Sequence, residues 1–341
     1  MPEAWTIAAS VLGGLLLIEL LVQAALVRII RRLFEQGPPF LVEHEPPDPA
    51  AEPVAFHTAD GLTLRGCLYH HLEQPPRGVI IFCHEFGGNH RSALTYCQGL
   101  WNSGFDILAV DFRSQGDSDQ LGGYEPLHWL TEFEVEDTLA TIRYTRNRDE
   151  LRDLPLGLFG ISLGAGAALV AAARNLGVVD AIAVDGAYAT DVMMRHFTPR
   201  MATLVVPDWV YRLIPGWHTR LTFKLVRWTS QLRRRVRYPA VERSLPSLQG
   251  QPVLFISGAR DTYVLPEVTA ELYQLKGAGA PAPWIVPRAK HNLGRQVATA
   301  EYDRRLVEFF GVLDNGKSSG DDESPLETQE QPSLEAARAS E

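Results

Sequence analysis

Short, fully apolar runs alternate with segments of helical pattern along most of this 341-residue chain. Apolar runs of five or six residues are typical of buried strands, and helices between them are typical of a parallel sheet covered on both faces. The pattern therefore predicts an α/β fold with a mostly parallel sheet, entered through a strand pair around Asp60-Gly61. The predicted strands are residues 53–58, 62–69, 78–83, 106–111, 156–160, 180–185, 252–257 and 283–287.

The sequence Gly160-Ile161-Ser162-Leu163-Gly164 lies between a predicted strand and a small-residue helix over residues 163–175. Glycines on both sides of a serine permit a sharp strand-to-helix turn, which lifts the serine hydroxyl clear of the sheet at the N-terminus of the next helix. The motif alone is weak, since flanking glycines arise easily by chance in a chain with 28 of them. Its position between strand and helix predicts a nucleophilic serine.

A serine nucleophile needs a base, and the base needs a carboxylate that orients it. Asp261 and His291 each follow a predicted strand by four residues, at the edge of the sheet where catalytic groups of parallel sheets gather. The order Ser162, Asp261, His291 is the order found in hydrolases with this serine turn. The alternatives are an N-cap role for Asp261, a surface role for His291, and Asp185 as the competing acid.

Two further motifs precede the serine, His84-Glu85-Phe86-Gly87-Gly88-Asn89 and Asp111-Phe112-Arg113-Ser114-Gln115-Gly116-Asp117-Ser118. They resemble the loop after the third strand and the D-x-R-G-x-G-x-S segment of α/β-hydrolase-fold serine hydrolases. With the serine turn and the Asp261/His291 pair, four motifs stand in the family's order over about residues 53–312. The chain is similar to the branch that holds monoacylglycerol lipases and serine-aminopeptidase-like proteins.

This resemblance implies an oxyanion hole formed by the backbone N–H groups of Leu163 and Phe86. Donors aimed at the developing oxyanion are worth about 2.7–4 kcal/mol each. Glu85 departs from the family, which commonly has glycine there, and a carboxylate beside the hole opposes an oxyanion unless it turns away. Glu85 is therefore the alternative to Phe86 at this position, and His84 is expected to brace the loop. Neither a cofactor nor a metal is expected.

Residues 5–27 form a 23-residue apolar run, long enough as a helix to cross about 30 Å of hydrocarbon. Arg28, Arg31 and Arg32 follow at once, which by the positive-inside rule keeps the rest of the chain in the cytoplasm. Three scattered cysteines agree with a reducing compartment. The run predicts a single-pass anchor, although Glu19 and Gln23 weaken this interpretation. A cleaved signal peptide and a buried amphipathic helix are the alternatives.

Residues 188–249 interrupt the alternation and predict an inserted helical cap. The cap is basic while the whole chain carries a net charge of −9, a distribution that favours a membrane surface over nucleic acid. A helix over residues 220–237 either packs its apolar face over the sheet or meets anionic lipid. That face consists of Leu221, Leu225, Trp228, Leu232 and Val236. Five preceding residues are candidates for an acyl pocket or for the core: Trp209, Tyr211, Leu213, Ile214 and Trp217.

The sequence thus predicts a membrane-anchored serine hydrolase that cleaves carboxylic esters of apolar or lipid-derived acyl groups. The alternatives are a thioesterase, a serine aminopeptidase, or a catalytically weak scaffold at the membrane. The predicted segments are an anchor, a Pro-rich linker, a hydrolase domain and a disordered acidic tail, at residues 1–34, 35–52, 53–313 and 314–341.

Overall fold

The computed structural model describes residues 2–38, 45–71, 74–202 and 207–317. Within them, eight strands form one sheet in the order β1-β2-β4-β3-β5-β6-β7-β8. The first two strands pair antiparallel, β2 also pairs antiparallel with β4, and all other neighbours are parallel. The strands are β1 Glu52–His57, β2 Thr63–Tyr69, β3 Val79–Cys83, β4 Asp106–Val110, β5 Leu156–Ile161, β6 Ala181–Asp185, β7 Val253–Gly258 and β8 Trp284–Val286.

Helices cover both faces of this sheet, as the fully apolar strands require. On one face the core joins sheet residues such as Ile81 and Leu158 to α3, α4 and α9; on the other it joins Ile80 and Phe159 to α2 and α11. The predicted α/β fold is therefore confirmed. The helices are α1 Pro2–Phe34, α2 Ala93–Asn102, α3 Glu132–Asn147, α4 Leu163–Arg174, α5 Thr190–Ala202, α6 Asp208–Leu213, α7 Gly216–Arg234, α8 Val241–Ser244, α9 Pro266–Lys276, α10 Gly294–Val297 and α11 Thr299–Phe310.

The N-terminal helix α1 projects from this body. It is long and apolar enough to cross a membrane, and the side chains of residues 4–18 are exposed. Its other end is held by the body, because the ring of Phe34 stacks on Trp129 at 4.7 Å and Trp129 Nε1 donates a hydrogen bond to the Phe34 carbonyl at 2.6 Å. The helix has the length and composition of a membrane anchor or a signal sequence.

The cap between β6 and β7 consists of α5 to α8, and its longest helix corrects one prediction. Most of the predicted apolar face does not pack over the sheet, because Leu221, Trp228 and Leu232 are exposed. Val236 lies past the end of α7 and is buried in the core. The side of α7 that is buried carries Thr222 and Val226, together with Ser230, and the helix packs along α1. This contact has no local pattern in the sequence, because α1, the partner of α7, lies about 200 residues away in the chain.

The residues around α6 correct a second prediction. Trp209, Leu213 and Trp217 are 67%, 72% and 57% exposed, so they form neither core nor an acyl pocket. The predicted linker lies within the described residues except for 39–44, and the predicted tail lies outside them from residue 318 onward.

Candidate active site

Ser162 stands at a strained turn between β5 and α4. Its backbone has φ +52° and ψ −108°, a conformation that side-chain-bearing residues rarely adopt. The Ser162 N–H donates to the Asp185 carbonyl at 2.8 Å, which fastens the turn to the end of β6. Leu163 is the first residue of α4, so its N–H belongs to the free donors of a helix N-terminus.

The two glycines of the motif allow close approach of backbone rather than an unusual φ. A Cβ on Gly160 would lie 2.4 Å from the Gly164 carbonyl oxygen, and a Cβ on Gly164 would lie 2.1 Å from the Cys83 carbonyl oxygen. Both obstructing atoms are backbone atoms that cannot rotate away. The start of α4 therefore lies directly on the end of β3, which brings Ser162 beside the loop that follows His84.

We expect Gly164→Ala to lower the free energy of unfolding by about 3 kcal/mol or more, because α4 must move away from β3 to admit the methyl group. Denaturant unfolding of the detergent-solubilised full chain measures this. Gly122→Ala is the matched control, since a Cβ there meets nothing within 4 Å. Equal unfolding midpoints for the two variants would contradict the close packing described here.

The three residues predicted as a triad lie in one hydrogen-bonded chain. Ser162 Oγ is 2.9 Å from His291 Nε2, and His291 Nδ1 is 2.7 Å from Asp261 Oδ2. The other Asp261 oxygen accepts the N–H groups of Tyr263 and Val264 at 2.8 Å each, which fixes the carboxylate. A hydroxyl, an imidazole and a carboxylate in this arrangement can pass the hydroxyl proton to the imidazole.

Asp185, the competing acid, has a different partner. Its Oδ2 accepts the hydroxyl of Tyr302 at 2.7 Å, and the side chain is buried at the end of β6. Burial raises the pKa of Asp185 to about 6, against the opposing effect of the Tyr302 hydrogen bond. The structure thus directs Asp261, and not Asp185, at His291 Nδ1.

This raised pKa predicts a pH-dependent stability. The folded chain binds the Asp185 proton more tightly than the unfolded chain, so the stabilisation is complete below about pH 4 and is lost as the pH rises through 6. Relative to Asp185→Asn, the wild type should lose roughly 2–3 kcal/mol of unfolding free energy between pH 4 and pH 7. Paired denaturation curves across this range test it, and a constant difference between the two proteins would contradict it.

The loop after β3 is braced by His84, as the sequence analysis expects. His84 is fully buried; its Nδ1 donates to the Glu85 carbonyl at 2.8 Å, and its Nε2 accepts the N–H of Phe112 at 3.2 Å. Both ring nitrogens are therefore engaged within the protein. Phe86, two residues further along, lies at the wall of the cavity that contains Ser162.

Glu85 is buried in the same loop. Its Oε1 accepts the hydroxyl of Tyr96 at 3.3 Å, and its carboxyl group lies against Gly88, where a Cβ would be 2.8 Å from Glu85 Cδ. Burial raises the pKa of Glu85 above its ordinary value. A protonated Glu85 carries no negative charge, so the neutral form does not repel an oxyanion.

Ser162 and His291 lie at the wall of a cavity of about 650 Å³. Several residues of its wall were not predicted as site residues, including His128, Tyr263 and Pro38. Burial, with the nearby Arg234, lowers the pKa of His128 to about 4, so this imidazole is neutral at neutral pH. The ring of Tyr263 lies 5.1 Å from that of His291. Of these three residues, only Tyr263 could have been predicted from the sequence, because it lies two residues after Asp261 in the same loop.

One group of side chains among the described residues has the spacing of a metal site, His90, Asp111 and Asp117. The Asp111 carboxylate already accepts the N–H of His90 at 2.5 Å, His90 Nδ1 at 2.9 Å and the N–H of Asp117 at 2.7 Å. These bonds join the loop after β4 to His90, which lies between β3 and α2, and close the turn from Asp111 to Asp117. The cluster is therefore accounted for by loop structure.

The family described as serine aminopeptidase, S33, matches the chain over residues 74–244, half of its length. The uncharacterized protein YqkD of Bacillus subtilis (strain 168) is 27% identical over 273 residues, which cover 77% of this chain and 79% of YqkD. The thiohydrolase aneE of Aspergillus aculeatus is 27% identical over 120 residues, which cover 35% of this chain and 36% of that protein.

Among solved structures, the esterase Pf2001 of Pyrococcus furiosus superposes with a TM-score of 0.58 at 21% identity, covering 81% of this chain and 97% of the esterase. The α/β hydrolase GrgF of Penicillium sp. sh18 superposes with a TM-score of 0.55 at 17% identity, covering 78% and 99%. These similarities show the same fold in this chain and in both hydrolases.

Proposed function

Because this chain belongs to the serine aminopeptidase S33 family of α/β-hydrolase-fold hydrolases, we propose that it is a serine esterase with Ser162 as nucleophile. The observation that carries the proposal is the chain of short contacts from Ser162 through His291 to Asp261, 2.9 Å and 2.7 Å long, at the wall of a cavity. Serine, base and orienting acid are all in contact before any substrate binds.

The proposed reaction begins when His291 Nε2 takes the Ser162 proton as Oγ attacks the ester carbonyl carbon. Asp261 holds the imidazole with its Nδ1 protonated and stabilises the imidazolium. The N–H groups of Leu163 and Phe86 bind the negative oxygen of the tetrahedral intermediate. His291 then protonates the departing alcohol, and water attacks the acyl-enzyme with His291 again as base. The bond to Ser162 Oγ breaks, His291 returns the proton to Oγ, and the carboxylic acid leaves. The raised pKa of the buried Glu85 reduces its repulsion of the oxyanion.

The substrates we propose are carboxylic esters of apolar or lipid-derived acyl groups. The cavity wall includes the side chains of Phe86, Tyr263 and Leu293, which suit an apolar acyl chain. The segment that leaves α1 reaches the same cavity, since Pro38 forms part of its wall. We propose that α1 is a single-pass membrane anchor, and that Arg28, Arg31 and Arg32 keep the catalytic body in the cytoplasm.

A thioesterase is the second candidate, favoured by the similarity to the thiohydrolase aneE. The aminopeptidase activity in the family's description is less well supported. Binding a substrate amine requires a charged acid in the cavity. Burial raises the pKa of Glu85 there, so a substrate amine would have to bind at Glu45, an exposed residue of the cavity wall. A scaffold without activity would not need the strained Ser162 turn or the contact to His291.

The test uses the full chain in detergent with three matched substrate classes: p-nitrophenyl esters from two to sixteen carbons, the corresponding thioesters, and aminoacyl p-nitroanilides. We expect ester turnover with an optimum at medium or long chains, and none by Ser162→Ala. Faster thioester than ester turnover at equal chain length would establish the second candidate. No turnover of any class by folded protein would contradict the proposal.

A further inference from the structure

The corner between α6 and α7 exposes four large apolar side chains to the surroundings. We call this surface the cap corner; it consists of Trp209, Leu213, Trp217 and Leu221. Singly exposed apolar residues are common, but two tryptophans and two leucines on adjacent helical turns form a patch that requires a partner. Tryptophan in particular is enriched where protein meets the membrane–water interface.

Contacts between α7 and α1 fix where the cap corner stands along α1. His218 Nε2 lies 3.2 Å from a Glu19 oxygen, and Thr222 Oγ1 donates to Gln23 Oε1 at 2.8 Å. Gln23 in turn donates to Glu19 at 3.1 Å. Because each step of four residues along α7 matches four along α1, the two helices run side by side in the same direction here.

The same contacts explain the two polar residues inside the apolar run of α1. Glu19 and Gln23 would be costly in lipid without partners, and His218 and Thr222 supply these partners from the cap. Gln23 is buried between the two helices as a result. The apolar part of α1 that remains exposed on all sides, residues 4–18, lies beyond the start of α7.

The depth of the cap corner follows from the length of α1. Twenty residues of helix span about 30 Å, so a span that begins at Trp5 leaves the hydrocarbon near residue 24. Glu19 then lies about 8 Å inside that boundary, and the start of α7 lies level with it. This is the depth to which membrane-surface helices bury their apolar side, about 5–10 Å.

We propose that the cap corner is inserted into the interfacial layer of the bilayer that α1 spans. The ligand is the lipid surface itself, and the exposed bases Arg220 and Lys224 beside the corner suit anionic headgroups. This inference rests on the membrane anchoring by α1 proposed above, and it does not depend on the catalytic role of Ser162. Insertion of the cap corner would hold the cap against the membrane surface at a constant depth beside α1.

The test is quenching of tryptophan fluorescence by dibromo-phosphatidylcholine in proteoliposomes that contain the full chain. Trp217 and Trp228 form a matched pair, because they lie on the same face of α7, are similarly exposed, and differ by eleven residues or about 16 Å in height. Trp217→Phe should reduce the bromolipid-quenched amplitude by about a third, as one of three tryptophans at membrane depth, while Trp228→Phe should leave it unchanged.

Two further measurements separate a failure of membrane anchoring by α1 from a failure of cap insertion. Trp5→Phe reports on α1 alone, so an unquenched Trp5 means that the anchoring fails, independently of the hydrolase proposal. Vesicles with and without phosphatidylglycerol measure the contribution of anionic headgroups. Equal losses from Trp217→Phe and Trp228→Phe, or quenching of Trp217 by aqueous iodide instead of bromolipid, would overturn the proposed insertion.

Discussion

Ser162→Ala should abolish ester hydrolysis while the protein remains folded. Removing the nucleophile of a comparable triad lowers kcat by up to about 10⁶-fold, and the residual rate comes from binding and the oxyanion donors. The variant keeps the His291–Asp261 contact and the backbone of the turn. Steady-state hydrolysis of the best p-nitrophenyl ester by the full chain in detergent measures the loss.

Thr95→Ala is the control for Ser162→Ala, because Thr95 lines the same cavity and lies outside the proposed triad. It should retain activity within about tenfold. Both variants should unfold at the same temperature as the wild type within a few degrees. A folded Ser162→Ala that still turns over the ester at a tenth of the wild-type rate would exclude Ser162 as the nucleophile.

Asp261→Asn should lower kcat by about 10⁴-fold at neutral pH. An asparagine amide opposite His291 Nδ1 stabilises the wrong tautomer of the imidazole, which then has no lone pair at Nε2 to accept the Ser162 proton. The contact affected is the 2.7 Å bond between His291 Nδ1 and Asp261 Oδ2.

Asp185→Asn is the matched control for Asp261→Asn, as both remove one buried carboxylate at the end of a neighbouring strand. Asp185 bonds to Tyr302, so its replacement should change kcat by less than about tenfold. Pre-steady-state release of p-nitrophenol compares acylation rates directly. A larger loss from Asp185→Asn than from Asp261→Asn would reverse the assignment of the orienting acid.

The sequence was enough to predict the sheet and the three residues that contact one another in the site. Fully apolar runs such as residues 156–160 have few alternatives to a buried strand, and catalytic side chains at strand ends are placed by the sheet itself. Because Asp261 and His291 follow neighbouring strands at the same edge of the sheet, their closeness in space could be predicted. The predicted strand boundaries differ from the observed ones by one residue, as with β8, which covers Trp284–Val286 and not 283–287.

The packing of the cap could not be predicted as fully as the sheet, because its longest helix, α7, packs against α1 rather than against the sheet. A period of 3.6 residues identifies the apolar face of α7 but not what covers it, and here Leu221, Trp228 and Leu232 of that face are exposed. The buried side carries Thr222 and Ser230, which bond to Gln23 and Glu35. Short polar side chains gave no sequence signal for a helix contact.

The cavity wall was likewise beyond the sequence, since loops from distant parts of the chain form it. His128 lies in a loop before α3, and Pro38 follows α1; neither belongs to a motif. The effect of Glu85 on the oxyanion site could not be predicted from the sequence either, because it depends on how the side chain is buried. The sequence showed a carboxylate beside the oxyanion site, and only its burial against Tyr96 and Gly88 indicates that the neutral form is favoured.

Covalent labelling by a fluorophosphonate tests the proposed role of Ser162 most directly, because these probes react with activated serines and require no knowledge of the substrate. The full chain in detergent should gain one adduct, and peptide mass spectrometry should map it to Ser162. His291→Ala should slow labelling by orders of magnitude, since the hydroxyl then has no base. An adduct on another serine, or no adduct on folded wild-type protein, would contradict the account.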